Sequence, residues 1–240
     1  MVRQGQDGQT VGMRKIQVIG AGFLAVMGAG LVAAARVARH SGVTGQERER
    51  VLPGDELVPG ARVVLDRAVT LPAPPERVWP WLVQLGKERA GWYMPGWIEP
   101  VIPSARRGLR YIDKDYQQLT EGDQVPDWGP GDPVFRAAVV DPPRTLVYLT
   151  ARDRANEYRW PASGPPFPPE ALVASWALVL SEAEAPDGSP GSRLQLRLRV
   201  SKVGKRAPWL IAFLGGLMDE ATVRPMFAGL AERVRQDPAS

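Results

Sequence analysis

Five runs of the chain alternate apolar and other residues with period two, and that periodicity restricts the fold more than any other feature. The runs are Val63 to Leu71, Val134 to Val140, Thr145 to Ala151, Ser175 to Ser181 and Arg193 to Val200. In the last, Leu194, Leu196, Leu198 and Val200 alternate with Arg193, Gln195, Arg197 and Arg199. One face of that strand is expected to meet a core and the other to meet water. In the first, Val63, Leu65, Val69 and Leu71 share a side that only Arg67 interrupts. The turn-forming runs Asp141-Pro142-Pro143 and Pro186-Asp187-Gly188 join neighbouring strands.

Helical spacing occurs in two places. Pro74 and Pro75 suit a first turn, Val78, Trp81, Leu82 and Leu85 recur at three and four residues, and Gly86 ends the pattern. Pro80 removes one early backbone bond of that helix. Near the C-terminus, Leu210, Phe213, Leu214 and Leu217 form one apolar run, and Val223, Phe227, Leu230 and Val234 form another. Gly215-Gly216 and Pro225 predict a break or kink between the two halves. Between the two helical regions, residues 90–133 are rich in aromatics, Gly and Pro without a sustained period. A long irregular stretch inside a compact domain points to a site, with one or two helical turns at most.

The 240 residues contain no cysteine, which excludes disulfides, thiol nucleophiles and cysteine-ligated metals. The single histidine, His40, lies outside the periodic region, so a histidine-based triad or metal centre within it is excluded as well. Chemistry would fall to carboxylates, Tyr, Lys or Arg, and neither a cofactor nor a metal is expected. The net charge of +4 is accounted for by residues 1–50, where seven basic groups face three acidic ones. The remainder is balanced, 23 against 23, and so lacks the field that would steer nucleic acid.

After a polar, basic stretch over residues 1–15, Ile16 to Ala35 has Gln17 as its only strongly polar residue, between Arg14-Lys15 and Arg36. At ~1.5 Å per residue such a helix spans ~30 Å, so residues 16–36 are expected to form a single membrane-crossing anchor. The alternatives are a signal peptide cleaved after Ala33-Ala34-Ala35, releasing a secreted protein, and a buried helix of the soluble domain. Basic residues on both sides leave the orientation open. The glycines of the stretch would permit two such helices to pair, though nothing fixes the oligomeric state. Residues 37–60, with Pro53-Gly54 and Pro59-Gly60, are expected to be a linker; the alternative is a short helix from Gln46 to Arg50 lying against the domain. The folded domain would then occupy residues 61–236.

The run LPAPPERVWPWLVQLGKERAGWYMPGWIE resembles the opening of START-like (SRPBCC, helix-grip) proteins, particularly the polyketide cyclase/dehydrase and lipid transport branch. The residues that carry the resemblance include Ala73, Pro74, Pro75, Glu76, Val78, Trp79, Trp81, Leu82, Gln84, Gly86, Ala90, Gly91, Trp92, Tyr93, Trp97 and Glu99. YQQLTEGDQVP and SWALVL add to it, over residues 50 to 235 in all. The Pro-rich insertion RWPASGPPFPPEA and Pro225 depart from the pattern. The resemblance implies an α+β helix-grip fold, a curved antiparallel sheet around a long C-terminal helix, with a cavity for a hydrophobic small molecule. The branch holds both carriers and enzymes, so no reaction is implied.

The candidate ligand-binding residues are Trp81, Trp92, Tyr93, Trp97, Glu99, Trp128 and Trp176, because pockets are mostly apolar with a few placed polar groups. Acid–base chemistry would fall first to Glu99 and Tyr93. Asp113, Asp115, Asp123, Asp127, Asp132 and Tyr158 are further candidates, although aspartates in Gly/Pro-rich chain usually cap turns. The expected function is a membrane-anchored domain that binds a lipid, polyketide or isoprenoid-like molecule. The alternatives are a cyclase, dehydratase or hydrolase in the same cavity, and a non-catalytic interaction or stress module whose cavity is filled by side chains.

Overall fold

The structure is a computed structural model that describes residues 30, 33–35, 37–128, 131–153, 157–162, 164–202 and 208–236. The chain divides into residues 1–37 and residues 38–240. In the first unit, residues 30, 33–35 and 37 are helical. Apart from these, the expected span over residues 16–36 lies outside the described residues. Among the described residues no helix is long and apolar enough to cross a membrane.

The second unit is built on one sheet. Its strands are β1 (His40–Ser41), β2 (Val63–Leu71), β3 (Gln124–Pro126), β4 (Val134–Asp141), β5 (Thr145–Arg152), β6 (Leu172–Glu184) and β7 (Pro190–Val200). The spatial order is β1-β2-β7-β6-β5-β4-β3, and every pair is antiparallel except β1 with β2. All five periodic runs are strands. Among the described residues, helices of this unit include α1 (Gly45–Glu49), α2 (Pro75–Gln84) and α3 (Pro208–Gln236). Leu71, Leu178, Leu194 and Leu196 of the sheet share one core with Val78, Trp81 and Leu82 of α2 and with Val223, Met226, Phe227, Leu230 and Val234 of α3.

Three expectations change. First, α3 is one continuous helix of 29 residues, not two halves. Two of its glycines serve close approach: a Cβ on Gly216 would run into the carbonyl oxygen of Ala38, and one on Gly229 would lie 2.6 Å from the backbone of Met94. Second, the irregular segment holds three 3₁₀ turns, Glu99–Val101, Ser104–Arg106 and Lys114–Tyr116, and leads into the short edge strand β3.

Third, the arginine-bearing face of β7 is largely covered, with Gln195 and Arg197 buried and Arg193 and Arg199 partly so. The segment expected to be a linker lies across it, and α1 is the short helix against the domain that stood as the alternative. Thr44 and Glu47 cap α1 reciprocally. Arg193 donates from Nε to Glu47 at 2.7 Å. Arg197, 3% exposed, is held by Asp66 at 2.7 Å and Asp55 at 2.9 Å, and donates to the carbonyls of Glu47, Arg48 and Arg50. Leu52 and Val58 are buried nearby. Arginine in an alternating strand reads as water-facing, but its five N–H donors can all be satisfied in the interior by carboxylates and carbonyls. His40 belongs to the same layer, its Nδ1 3.5 Å from Asp66, and burial lowers its pKa.

Candidate functional site

The site starts from the end of α2. The side chain of Gln84 is fully buried, donates to the carbonyl of Tyr111 at 3.1 Å and accepts from the backbone of Asp113 at 2.9 Å and from Gln117 at 3.2 Å. It thus ties the irregular segment to the helix. Gly86 and Gly91 then exchange backbone hydrogen bonds at 3.2 and 2.9 Å, both with positive φ that a side chain would oppose. This turn delivers Trp92, whose Nε1 donates to the carbonyl of Thr222 on α3 at 3.2 Å.

The sheet supplies the opposite wall. Register places Tyr148, Trp176 and Leu198 side by side on β5, β6 and β7. Trp176 stacks on Tyr148 with ring centres 6.2 Å apart and on Trp92 with centres 6.0 Å apart. Phe135 of β4 packs against both Tyr148 and Trp176, and Trp128 meets Trp92 edge-on at 5.9 Å. These rings surround a cavity of about 180 Å³, completed by Leu85, Gly86, Val125, Pro126, Asp127, Leu198, Asp219 and Val223. An antiparallel sheet faces the long C-terminal helix across a cavity bounded by both. The chain has the helix-grip fold.

No family model matches the sequence, and no curated protein matches it. Solved structures to which it is similar include the solution structure of a protein from Arthrobacter aurescens, with 11% identity over 73% of this chain and 87% of that one and a TM-score of 0.39. Another is the crystal structure of Ara h 8.0201, with 16% identity over 72% and 98% and a TM-score of 0.38. A third is a protein of unknown function from Staphylococcus aureus, with 12% identity over 72% and 93% and a TM-score of 0.37.

Three polar groups interrupt the apolar lining. Asp127 pairs with Arg152 and accepts the backbone N–H of Trp128 at 2.7 Å; burial nevertheless raises its pKa. Asp219 of α3 lies 2.9 Å from Arg67, the residue that broke the alternation of β2. Burial pushes its carboxyl up to about 6, with Arg67 opposing the rise and the neighbouring Glu220 adding to it. Arg67 is itself 1% exposed and is held also by Glu220 at 2.9 Å and by the carbonyls of Ala38 and Gly216. The third group is the hydroxyl of Tyr148, buried in the cavity wall without a hydrogen-bond partner among the described residues. A buried O–H left unpaired is costly. Among the described residues, no group of His, Asp and Glu side chains is arranged to hold a metal ion.

Of the seven ligand-binding candidates, Trp92, Trp128 and Trp176 line the cavity and the other four do not; of the further acid–base candidates, Asp127 lines it. Trp81 is buried in the core edge-on to Tyr93, and the Tyr93 hydroxyl donates to the Trp81 carbonyl at 2.8 Å. Tyr93 is therefore a packing residue, its proton held more tightly by burial. Trp97 is 78% exposed. Glu99 is clamped between Arg110 at 2.9 Å and Arg233 at 3.0 Å; burial pushes its carboxyl up, and the two guanidinium groups more than offset this, leaving it below its ordinary range. A carboxylate so paired is a fastener and not an acid–base group. Arg233 completes the fastening with the carbonyls of Met94, Gly108, Leu109 and Gly229. Asp113 and Asp123 accept the backbone N–H groups of Asp115 and Thr120 as turn caps. Asp115, Asp132 and Tyr158 do not line the cavity, and Tyr158 is 39% exposed. Phe135, Tyr148 and Asp219 were not anticipated as site residues.

Proposed function

We propose that this chain is a membrane-tethered START-like domain whose activity is to bind a hydrophobic small molecule between the sheet and α3. The observation that carries this is the cavity walled by Trp92, Trp128, Phe135, Tyr148 and Trp176 between the sheet and α3. Cavities of ~150 Å³ with apolar walls hold a benzene-sized molecule, so the volume here suits one ring or a short branched segment, not a whole lipid. Trp92 and Trp176 report on occupancy by their own fluorescence. Titration with 1-naphthol, a neutral ring carrying one hydroxyl, is expected to give a saturable change in tryptophan emission that Trp176→Ala removes. A change that is linear in concentration and insensitive to that substitution contradicts the reading.

The tether rests on the sequence of Ile16 to Ala35 and its basic flanks. The full chain should stay with membranes through alkaline carbonate extraction, and a chain beginning at Ala38 should not. Full-length chain in the soluble fraction would remove this part alone.

A second reading, catalysis in the same cavity, is favoured by one observation: two carboxyl groups whose proton affinity is raised by burial share the lining with a phenol. Under it, Asp219 exchanges a proton with the ligand and Tyr148 donates a hydrogen bond. Turnover on a bound compound should then be lost in Asp219→Asn with binding retained; turnover unaffected by that change rules out this assignment.

A further inference from the structure

A second concavity adjoins the aromatic cavity. It is a larger groove of about 980 Å³, and Trp92 and Trp128 line both spaces, so the edge-on pair of indoles stands between them. The groove differs from the cavity in charge. Its lining includes Lys87, Arg89, Arg106 and Arg107 against the single acid Glu88. Arg89 is committed to the structure, donating to the carbonyls of Val83 and Tyr116. Arg107 is exposed and donates from Nε to the carbonyl of Ile102 at 2.9 Å, a bond that does not use its terminal N–H groups. Arg106 is exposed and makes no ion pair among the described residues, and Lys87 has only the 3.6 Å contact with Glu88. The inner cavity, by contrast, holds the carboxyl groups of Asp127 and Asp219.

We propose that the ligand is an amphipathic anion, with a ring-sized apolar head seated past Trp92 and Trp128 in the inner cavity and an acidic group held in the groove by Lys87, Arg106 and Arg107. This rests on the cavity-binding reading above and adds the class and orientation of the ligand. The orientation follows from the charges: a carboxylate, sulfonate or phosphate in the inner cavity would meet an apolar lining with no cation, its two acids already paired with Arg152 and Arg67, whereas in the groove it meets an excess of cations. The small inner volume admits the ring and excludes a second bulky group, so the remainder of the molecule must extend outward.

The test compares two probes of equal apolar content, 4-phenylbutyrate and 3-phenylpropanol, each a phenyl ring on three methylenes, titrated against the full-length chain with tryptophan emission as the readout. The acid is expected to bind roughly fivefold more tightly than the alcohol at low ionic strength, the scale of a well-placed exposed ion pair. The preference should shrink at high salt. Lys87→Ala combined with Arg106→Ala should cut the preference to less than half, the remainder being due to Arg107, with little change in the affinity for the alcohol. Trp176→Ala should weaken both probes. Equal binding of acid and alcohol, or a preference for the alcohol, overturns the amphipathic-anion assignment while leaving the cavity reading intact. Failure of both probes to bind overturns the two together.

Discussion

Asp219 makes the electrostatics of the cavity measurable. Its carboxyl is buried beside Arg67, and its pKa rises from the ordinary value of 3.8 to about 6. A carboxyl with a raised folded-state pKa binds its proton more tightly when folded, so its stabilising contribution is complete below about pH 4 and is lost as pH rises through about 6. A shift of that size corresponds to about 3 kcal/mol at ~1.4 kcal/mol per pH unit. The sign is opposite to that of Glu47, whose carboxyl is lowered to about 2 chiefly by its hydrogen bond from Arg193 and whose contribution is lost as pH falls below about 4.5. Total stability therefore mixes the two, and only a difference isolates Asp219. Urea unfolding of the wild type and of Asp219→Asn at pH 4, 5, 6 and 7 gives that difference. The wild type should lose about 2 kcal/mol relative to the variant between pH 4 and pH 7, with most of the loss between 4 and 6. Parallel pH profiles, or a wild type that gains on the variant as pH rises, would refute the burial of this carboxyl against the cavity.

Other expectations concern the layers around the cavity. A chain beginning at residue 61 should be less stable than one beginning at residue 38 by more than about 5 kcal/mol, because Arg193 loses Glu47, Arg197 keeps only Asp66 of its partners, and the surface that Leu52 and Val58 cover is laid bare; equal urea midpoints would show that the segment is only a linker. Tyr148→Phe should stabilise the empty protein by about 1 kcal/mol, by removing an unpaired buried hydroxyl, and should weaken binding of 1-naphthol; a destabilised variant would mean that the hydroxyl already has a partner. Gly229→Ala should cost about 1–3 kcal/mol, since its methyl meets the backbone of Met94 and Tyr93 at 2.6–2.7 Å, and a thermal melt unchanged from wild type would contradict that packing.

The strands and α2 were legible because their periodicity is a local property of the chain, and the aromatic segment was legible as a site because tryptophans on irregular chain need a partner. What its motif residues do was not legible: Gln84, Gly86 and Gly91 shape the turn that presents Trp92, while Tyr93 and Glu99, beside it in sequence, face the core and the arginine clamp. Neighbours in irregular chain point in unrelated directions, and spacing carries no information about which one reaches a cavity. Tyr148, Trp176 and Leu198 form a wall only through strand register, a long-range property, so Tyr148 looked like any inward residue of β5. Asp219 has no local signature on α3. Its signal was displaced to β2, where Arg67 interrupts an apolar face and thereby announces a buried acid elsewhere in the chain. The outer face of β7 misled for a related reason, since alternation with arginine looks the same whether water or a layer of carboxylates and carbonyls lies opposite.

The central claim is that the space between the sheet and α3 is a binding site, and native mass spectrometry of the full-length chain, gently purified from the producing cells, tests it most directly. The account predicts one small molecule per chain, released by organic solvent and absent from Trp176→Ala prepared in the same way. Repeated recovery of wild type with no added mass, and no mass gained on incubation with 1-naphthol or 4-phenylbutyrate, would contradict it.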